Sequence, residues 1–336
     1  MNHKIDLTSQ YLGLTLKTPI IASASPMHTD MEYLKTLEKA GIAAIVLPSL
    51  FQEQIDYAFE ELDTLHHYHS AEASSYLPID NIASGPYGVG PEAYLKLVET
   101  AKKTVSVPVI ASLNGYTNSA WVEYAKLIQE AGADALELNI FSVPTNINIS
   151  SQQIEDGYIS IIANIRKHVD IPLAVKLSPY FTSMGNLAQR MIDAGANGLV
   201  LFNRIMSPDI DIQNLDITSR YSLSNMSEGL IALQWIGLLA RRVNASLAAS
   251  TGVDDYQQVV KFLLAGADTV MTTSALLRHG PNYVEALLDG LCMWLKARQQ
   301  TDLKLMRGQM SWQKLKNNQA YERSHYIKLV GSFHPK

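Results

Sequence analysis

The sequence predicts an α/β protein folded as a (β/α)8 TIM barrel, and three observations carry that prediction. In four places a helical stretch ends in Ala-Gly and an apolar run follows at once: Ala40-Gly41-Ile42, Ala131-Gly132-Ala133, Ala194-Gly195-Ala196 and Ala265-Gly266-Ala267. Glycine adopts the left-handed conformation that stops a helix, and the run after it has the length of a strand buried on both faces. Between the joints lie strands opened by a proline, where no ladder donor is needed: Thr18-Pro19-Ile20-Ile21, Val107-Pro108-Val109-Ile110 and Ile171-Pro172-Leu173-Ala174. With Ser246-Leu247-Ala248-Ala249-Ser250 the strands number eight, which closes a barrel. An open doubly wound sheet would want a Gly-rich dinucleotide turn after an early strand, and the sequence has none.

In chain order, Ile5, Leu7, Leu12, Leu14 and Leu16 alternate with polar residues around Gly13, which predicts a hairpin plugging the bottom of the barrel. After the first strand, Thr29 to Glu32 reads as a capping box before Tyr33, Leu34 and Leu37. Three strand-to-helix connections are long, and such connections carry the chemistry of a barrel. Residues 49–90 follow the second strand and hold Phe51 and the cluster His66-His67-Tyr68-His69; residues 141–151 follow the fourth; residues 204–227 follow the sixth and show little helical periodicity. Asp254-Asp255 opens a helix through Val259, Val260 and Leu263. The lone Cys292 sits in the apolar run from Val284 to Leu295 and reads as a buried small hydrophobe. The barrel is expected over residues 18–298 and a C-terminal helical extension, with Trp312 and Tyr326, over 299–336; all 336 residues read as one domain.

Composition excludes several classes of function. Net charge −5 and a pI near 6.0 argue against nucleic acid, whose phosphates need a basic stripe. The longest apolar candidate, residues 230–240, is too short to span a bilayer and is broken by Gln234, and no signal sequence opens the chain, so no membrane is expected. One cysteine allows no internal disulfide and fits a reducing cytoplasm. The histidine cluster lacks a second ligand group at metal spacing and reads as a solvated loop, so no metal is expected.

Lys176 is a lone charge near the end of an apolar fifth strand, which calls for an anionic or polar partner at the barrel mouth or else a side chain snorkelling to solvent. Asn139 and Asn203 end the fourth and sixth strands, either as fixed donors and acceptors for a planar heteroaromatic ligand or as caps. The last two strands end in Ser250-Thr251-Gly252 and Thr272-Thr273-Ser274, a setting for a phosphate or for two helix N-caps.

Taken in order, several segments resemble the dihydroorotate dehydrogenase family of FMN-dependent TIM barrels over residues 5–295. They are Thr18-Pro19-Ile20-Ile21-Ala22-Ser23-Ala24, Ala111-Ser112-Leu113-Asn114-Gly115, Ala135-Leu136-Glu137-Leu138-Asn139-Ile140, Ala174-Val175-Lys176-Leu177-Ser178-Pro179 and Leu263-Leu264-Ala265-Gly266-Ala267. Leu201-Phe202-Asn203-Arg204 and the stretch from Ser274 to Pro281 are similar to a divergent branch described as dihydroorotate dehydrogenase-like. The resemblance implies FMN. Ala22 and Ser23 would meet the flavin edge, and Asn114 and Asn139 the ring or ribityl chain. Asn203 would join the cofactor and substrate contacts, Lys176 would stand near flavin N1 and O2, and Thr251, Gly252, Thr273 and Ser274 would hold the phosphate. It also implies oxidation of dihydroorotate to orotate in pyrimidine biosynthesis, by C5 proton abstraction and hydride transfer to flavin N5, with Ser142 at the position of the base.

The departures lie on the substrate side. Val46-Leu47-Pro48-Ser49 puts a proline where the family has a lysine touching flavin and substrate, and Gly-Gly at the phosphate becomes Thr251-Gly252, which requires a compatible dihedral at threonine. Arg204 is the candidate to anchor a small anionic substrate in place of that lysine, beside Asn139 and Asn203. A homodimer is expected from the resemblance to the soluble class, and a soluble oxidant rather than a quinone because the first barrel strand begins near Thr18 with no membrane-binding helix before it. The rival readings are an FMN oxidoreductase for another small substrate, a Schiff-base lyase using Lys176, and a flavin-binding protein without catalysis.

Overall fold

The computed structural model describes residues 5–55, 90–115, 119–140, 143–204, 208–218, 222–316, 318–322 and 330–332. Eight parallel strands close into a barrel: Ile20–Ala22, Ala44–Phe51, Val109–Gly115, Ala135–Ile140, Leu173–Leu177, Gly198–Leu201, Ser246–Ala249 and Thr269–Thr272, the first to the eighth barrel strand. The eighth pairs with the first, Val270 beside Ile20, so the ring has no edge. All eight predicted strands are present. The glycines of the four joints have φ of +98°, +92°, +113° and +124°, the helix-stopping geometry that a side chain resists.

Alternation along each strand sorts side chains between two cores. Ile20, Ile45, Val109, Leu136, Val175, Leu199 and Val270 pack against the helices in one large cluster. Ile21, Ala44, Ile110, Ala135, Ala174, Val200, Ala248 and Met271 face inward and cluster instead with Tyr11, Leu12 and Leu16. Those three belong to an N-terminal hairpin, Ser9–Tyr11 paired antiparallel with Leu14–Leu16. The inward alanines leave a lumen that Tyr11 fills, and the Leu12 N–H bonds Ser246 Oγ at 2.9 Å. The plug expected from the alternation of Leu12, Leu14 and Leu16 is there.

Two other local expectations, the Thr29 cap and a buried Cys292, are corrected. Helix Met31–Lys39 is capped by Asp30, whose carboxylate accepts from Glu32 N–H at 2.9 Å, while the Thr29 hydroxyl bonds Pro26 O; Asp30 simply outcompetes Thr29 for the helix end. The connection after the sixth strand contains a second hairpin, Asp209–Asp211 with Asp216–Thr218, whose Ile210 and Ile217 are both exposed. Cys292 is half-buried on helix Tyr283–Ala297, with its thiol pKa raised by burial.

After that helix the chain returns across the plugged end. Asp6 N–H bonds Thr301 O at 2.9 Å and Leu303 N–H bonds Asp6 O at 3.0 Å. Short helices Leu303–Met306 and Gln319–Glu322 follow, and Trp312 docks on helix Gly229–Leu239 through its N–H to Gly237 O at 2.9 Å. Tyr326 and the histidine cluster lie outside the described residues. No helix among the described residues is long and apolar enough to cross a membrane.

Candidate active site at the barrel mouth

Counting in twos along the inward face puts Glu137 and Asn139 of the fourth strand and Lys176 of the fifth near the C-terminal mouth. Lys176 Nζ donates to Glu137 Oε1 and to Ser23 Oγ, each at 3.3 Å. Lys176 is 7% exposed and Glu137 1%, so the lysine is held in a buried ion pair and does not snorkel. Ser23 follows the first strand, which stands opposite the fifth in a ring of eight. An ammonium that touches both sides is therefore close to the barrel axis.

Beside this pair the second strand slips register between Val46 and Ser49, around Pro48. A proline lacks the N–H that a regular ladder needs, so it settles at such a bulge. The slip sets Ser49 Oγ 2.8 Å from Ser112 Oγ, and the Ser112 N–H is bonded by Tyr94 Oη at 2.8 Å. Behind the bulge, buried His28 places Nδ1 2.7 Å from Val46 O, and burial, only partly offset by that bond, lowers its pKa to about 4.

The two strand-end asparagines meet. Asn203 Nδ2 donates to Asn139 Oδ1 at 2.9 Å, while the Asn203 N–H bonds Leu177 O at 2.7 Å. Each amide keeps its other end for a ligand.

On the far wall the seventh strand runs into Thr251 and Gly252, with φ of +75° and +73°. Threonine is a strained occupant of the left-handed region, and its hydroxyl is tied to Phe202 O at 3.0 Å. Gly252 admits no side chain: a Cβ there would stand 2.6 Å from Gly229 N and 2.8 Å from Asn225 O. Ser224 closes the corner, its hydroxyl 2.9 Å from Ser274 Oγ and 3.4 Å from the Gly252 N–H. Thr273 turns its hydroxyl to Ser23 O at 2.8 Å. The donors of this corner are therefore the Ser224 and Ser274 hydroxyls and the Gly252 N–H, linked to one another in a chain that ends at Ser274 Oγ, with the two threonines shaping it.

Arg204 lines the same cavity, but its guanidinium is engaged: Nε donates to Glu228 Oε2 at 2.8 Å, and the remaining nitrogens bond Ser222. Ala22 is wholly buried on the helix side, leaving Ser23 on the cavity. Asn114 pairs in register with Asn139 and Phe51 without reaching the cavity wall. Ser142 lies outside the described residues. Two residues of this site were not singled out from the sequence, Glu137 and Ser224. Glu137 had a signal, an acid in an apolar strand two residues before Asn139; Ser224 had none, because only the tertiary fold brings it to Ser274.

One cavity joins these parts, lined by Ser23, Pro48, Asn139 and Lys176 as well as by Ser224, Gly252 and Ser274. Among the described residues its wall holds two cations and no carboxylate, with Phe51, Val253 and Met271 as apolar surface. A hydroxyl and N–H corner for a phosphate, amides and an ammonium for a polar ring edge, and apolar wall between are the donor set FMN requires. Among the described residues no group of three or more His, Cys, Asp or Glu is placed to hold a metal.

The family model for dihydroorotate dehydrogenase matches residues 83–295, more than half of the chain. A putative dihydroorotate dehydrogenase A (fumarate) of Aeropyrum pernix is 30% identical over 61% of this chain and 67% of its own length. The catalytic subunit of dihydroorotate dehydrogenase B (NAD(+)) of Geotalea uraniireducens is 25% identical over 91% of this chain and 98% of its own. The NAD-dependent dihydropyrimidine dehydrogenase subunit PreA of Escherichia coli is 23% identical, covering 86% of this chain and 73% of itself.

Proposed function

We propose, from the premise that this chain belongs to the dihydroorotate dehydrogenase family and is an FMN-dependent oxidoreductase, that it oxidises the saturated ring of a dihydropyrimidine, with dihydroorotate the leading substrate. The observation that supports this most is that one cavity is shared by the axial Lys176 ammonium, the Asn139–Asn203 pair and the Ser224–Gly252–Ser274 corner.

FMN, when bound, supplies the acceptor for the two electrons of the oxidation. Ser224, Ser274 and the N–H of Gly252 would hold its phosphate; Lys176 would meet the polar edge of its ring and favour the state of the site that carries more negative charge. Asn139 and Asn203, fixing each other at 2.9 Å, offer directional contacts to a ring that alternates N–H and C=O groups. Ser142, three residues after Asn139, is assigned to take the proton from the substrate carbon; its hydroxyl needs a neighbouring acceptor to work as a base.

A second reading has its own support. Arg204 is committed to Glu228 and Pro48 stands where the resemblance places a lysine, so the described wall offers no uncommitted cation for a substrate carboxylate. That favours a neutral dihydropyrimidine, the class that the name of the Escherichia coli relative carries.

Anaerobic mixing of the flavin-loaded protein with dihydroorotate and, separately, with dihydrouracil tests both. Bleaching of the flavin by dihydroorotate is the expected result, and bleaching by dihydrouracil alone selects the second reading. Bound flavin that neither compound bleaches overturns the substrate class. Borohydride trapping of a carbonyl substrate on Lys176 would select the lyase instead.

A further inference from the structure

Glu137 is the least expected residue of the barrel interior. The inward cluster that it borders is apolar, with Ala135, Ala174, Val200 and Ala248 packed together with the hairpin plug. Taking a carboxylate out of water costs several kcal/mol unless it is paired. Its pairing is one-sided. Oε1 receives Lys176 at 3.3 Å, while Oε2 has no hydrogen-bond partner among the described residues. Register places Glu137 between Ser112 and Ala174, one inward position below Asn139, and Asn139 is level with Lys176. The lysine therefore bends down to reach the carboxylate and across the lumen to reach Ser23. A hydrophobic side chain would fill the same space at less cost, so the carboxylate needs a reason connected with the ammonium above it.

We infer that Glu137 is a positioning residue for the redox step: it anchors the Lys176 ammonium on the barrel axis and offsets its charge, and so sets the midpoint potential of the bound FMN. This rests on the reading that Lys176 meets the ring edge. Glu137 touches neither ring nor substrate; it acts through Lys176. With the pair intact the cofactor sees a damped positive charge. Without the carboxylate it sees a full one at short range and low dielectric, which favours the more negative, reduced form.

The test is the two-electron midpoint potential of bound FMN in wild type, Glu137→Gln, Lys176→Met and the double variant, measured by anaerobic dye equilibration. Glu137→Gln should bind reduced over oxidised FMN at least tenfold more strongly than wild type does, a rise of about 30 mV for a two-electron couple. Lys176→Met should lower the potential, and adding Glu137→Gln to it should raise it by clearly less than in the wild-type background. An unchanged or lowered potential in Glu137→Gln overturns the inference, as does an equal rise in both backgrounds. If Lys176→Met leaves the potential at the wild-type value, the placement of Lys176 fails along with the inference. Where Glu137→Gln does not fold, Glu137→Asp keeps the charge but withdraws it by one methylene; a smaller rise supports the role and no rise refutes it.

Discussion

Gly252→Ala should cost stability and cofactor together, and the structure sets the size of both effects. The added Cβ would meet only backbone: Gly229 N at 2.6 Å, Asn225 O at 2.8 Å and Gly229 Cα at 2.8 Å. Contacts that close force a shift, and none is the tip of a side chain that can swing aside. Overpacking of this kind costs about 1–3 kcal/mol. Alanine at φ +73° adds roughly 1–2 kcal/mol. Urea denaturation of the flavin-free protein should therefore show a loss of about 2–5 kcal/mol. Relief comes by moving the Thr251–Gly252 turn away from Asn225 and Gly229, which pulls the Gly252 N–H from Ser224 Oγ, now 3.4 Å away, and opens the corner assigned to the phosphate. One or two charge-assisted hydrogen bonds lost there correspond to roughly tenfold to hundredfold weaker FMN binding. Thr251→Gly is the control. It relieves a β-branched residue at φ +75° and gives up the bond to Phe202 O, so its stability should stay within about 1 kcal/mol of wild type. Wild-type stability and FMN affinity in Gly252→Ala would refute the tightness of this corner and its assignment.

Lys176→Met should strand Glu137 and lose about 3–5 kcal/mol in urea denaturation, and adding Glu137→Gln should recover most of that; additive losses would mean the two are uncoupled. His28 is buried and its pKa is lowered from 6.5 to about 4, so the unfolded chain binds a proton in that window and the folded one does not. Its contribution is full above pH 6.5 and is lost as pH falls toward 4, about 3 kcal/mol in all; His28→Gln should flatten the stability profile there, and equal slopes would contradict it. Burial, and after it the Glu137 carboxylate, raise the pKa of the Tyr11 phenol, which stays a neutral donor without a partner among the described residues. If a buried water joins that hydroxyl to Glu137 Oε2, Tyr11→Phe should lose about 1 kcal/mol or more by thermal or urea unfolding; a gain would show two independent orphans.

Much of the scaffold was legible because its signals are local. An Ala-Gly joint stops a helix and a proline opens a strand whatever the rest of the chain does, so Gly41, Gly132, Gly195 and Gly266 announced four barrel strands and Pro19, Pro108 and Pro172 three more. Lys176 was legible as a charge in an apolar strand, and the dihedral demand at Thr251 was legible through the resemblance, which has glycine at that position. Contacts between distant segments carried no such signal. Glu228 stands 24 residues beyond Arg204, and nothing in either neighbourhood announces that they pair. The hairpin Asp209–Asp211 with Asp216–Thr218 escaped because its alternation buries neither face, leaving Ile210 and Ile217 both in solvent. Glu137 could have been read as Lys176 was: same inward parity, same apolar surroundings, opposite charge.

The central question is whether the mouth cavity holds FMN by its phosphate as well as its ring. Calorimetric titration of the flavin-free protein with FMN and with riboflavin decides it. The expected result is one FMN per chain, bound roughly tenfold to hundredfold more tightly than riboflavin, the worth of one or two charge-assisted bonds at Ser224, Gly252 and Ser274. Equal affinity for the two flavins would remove the phosphate from that corner, and no binding of either would contradict the site as a whole.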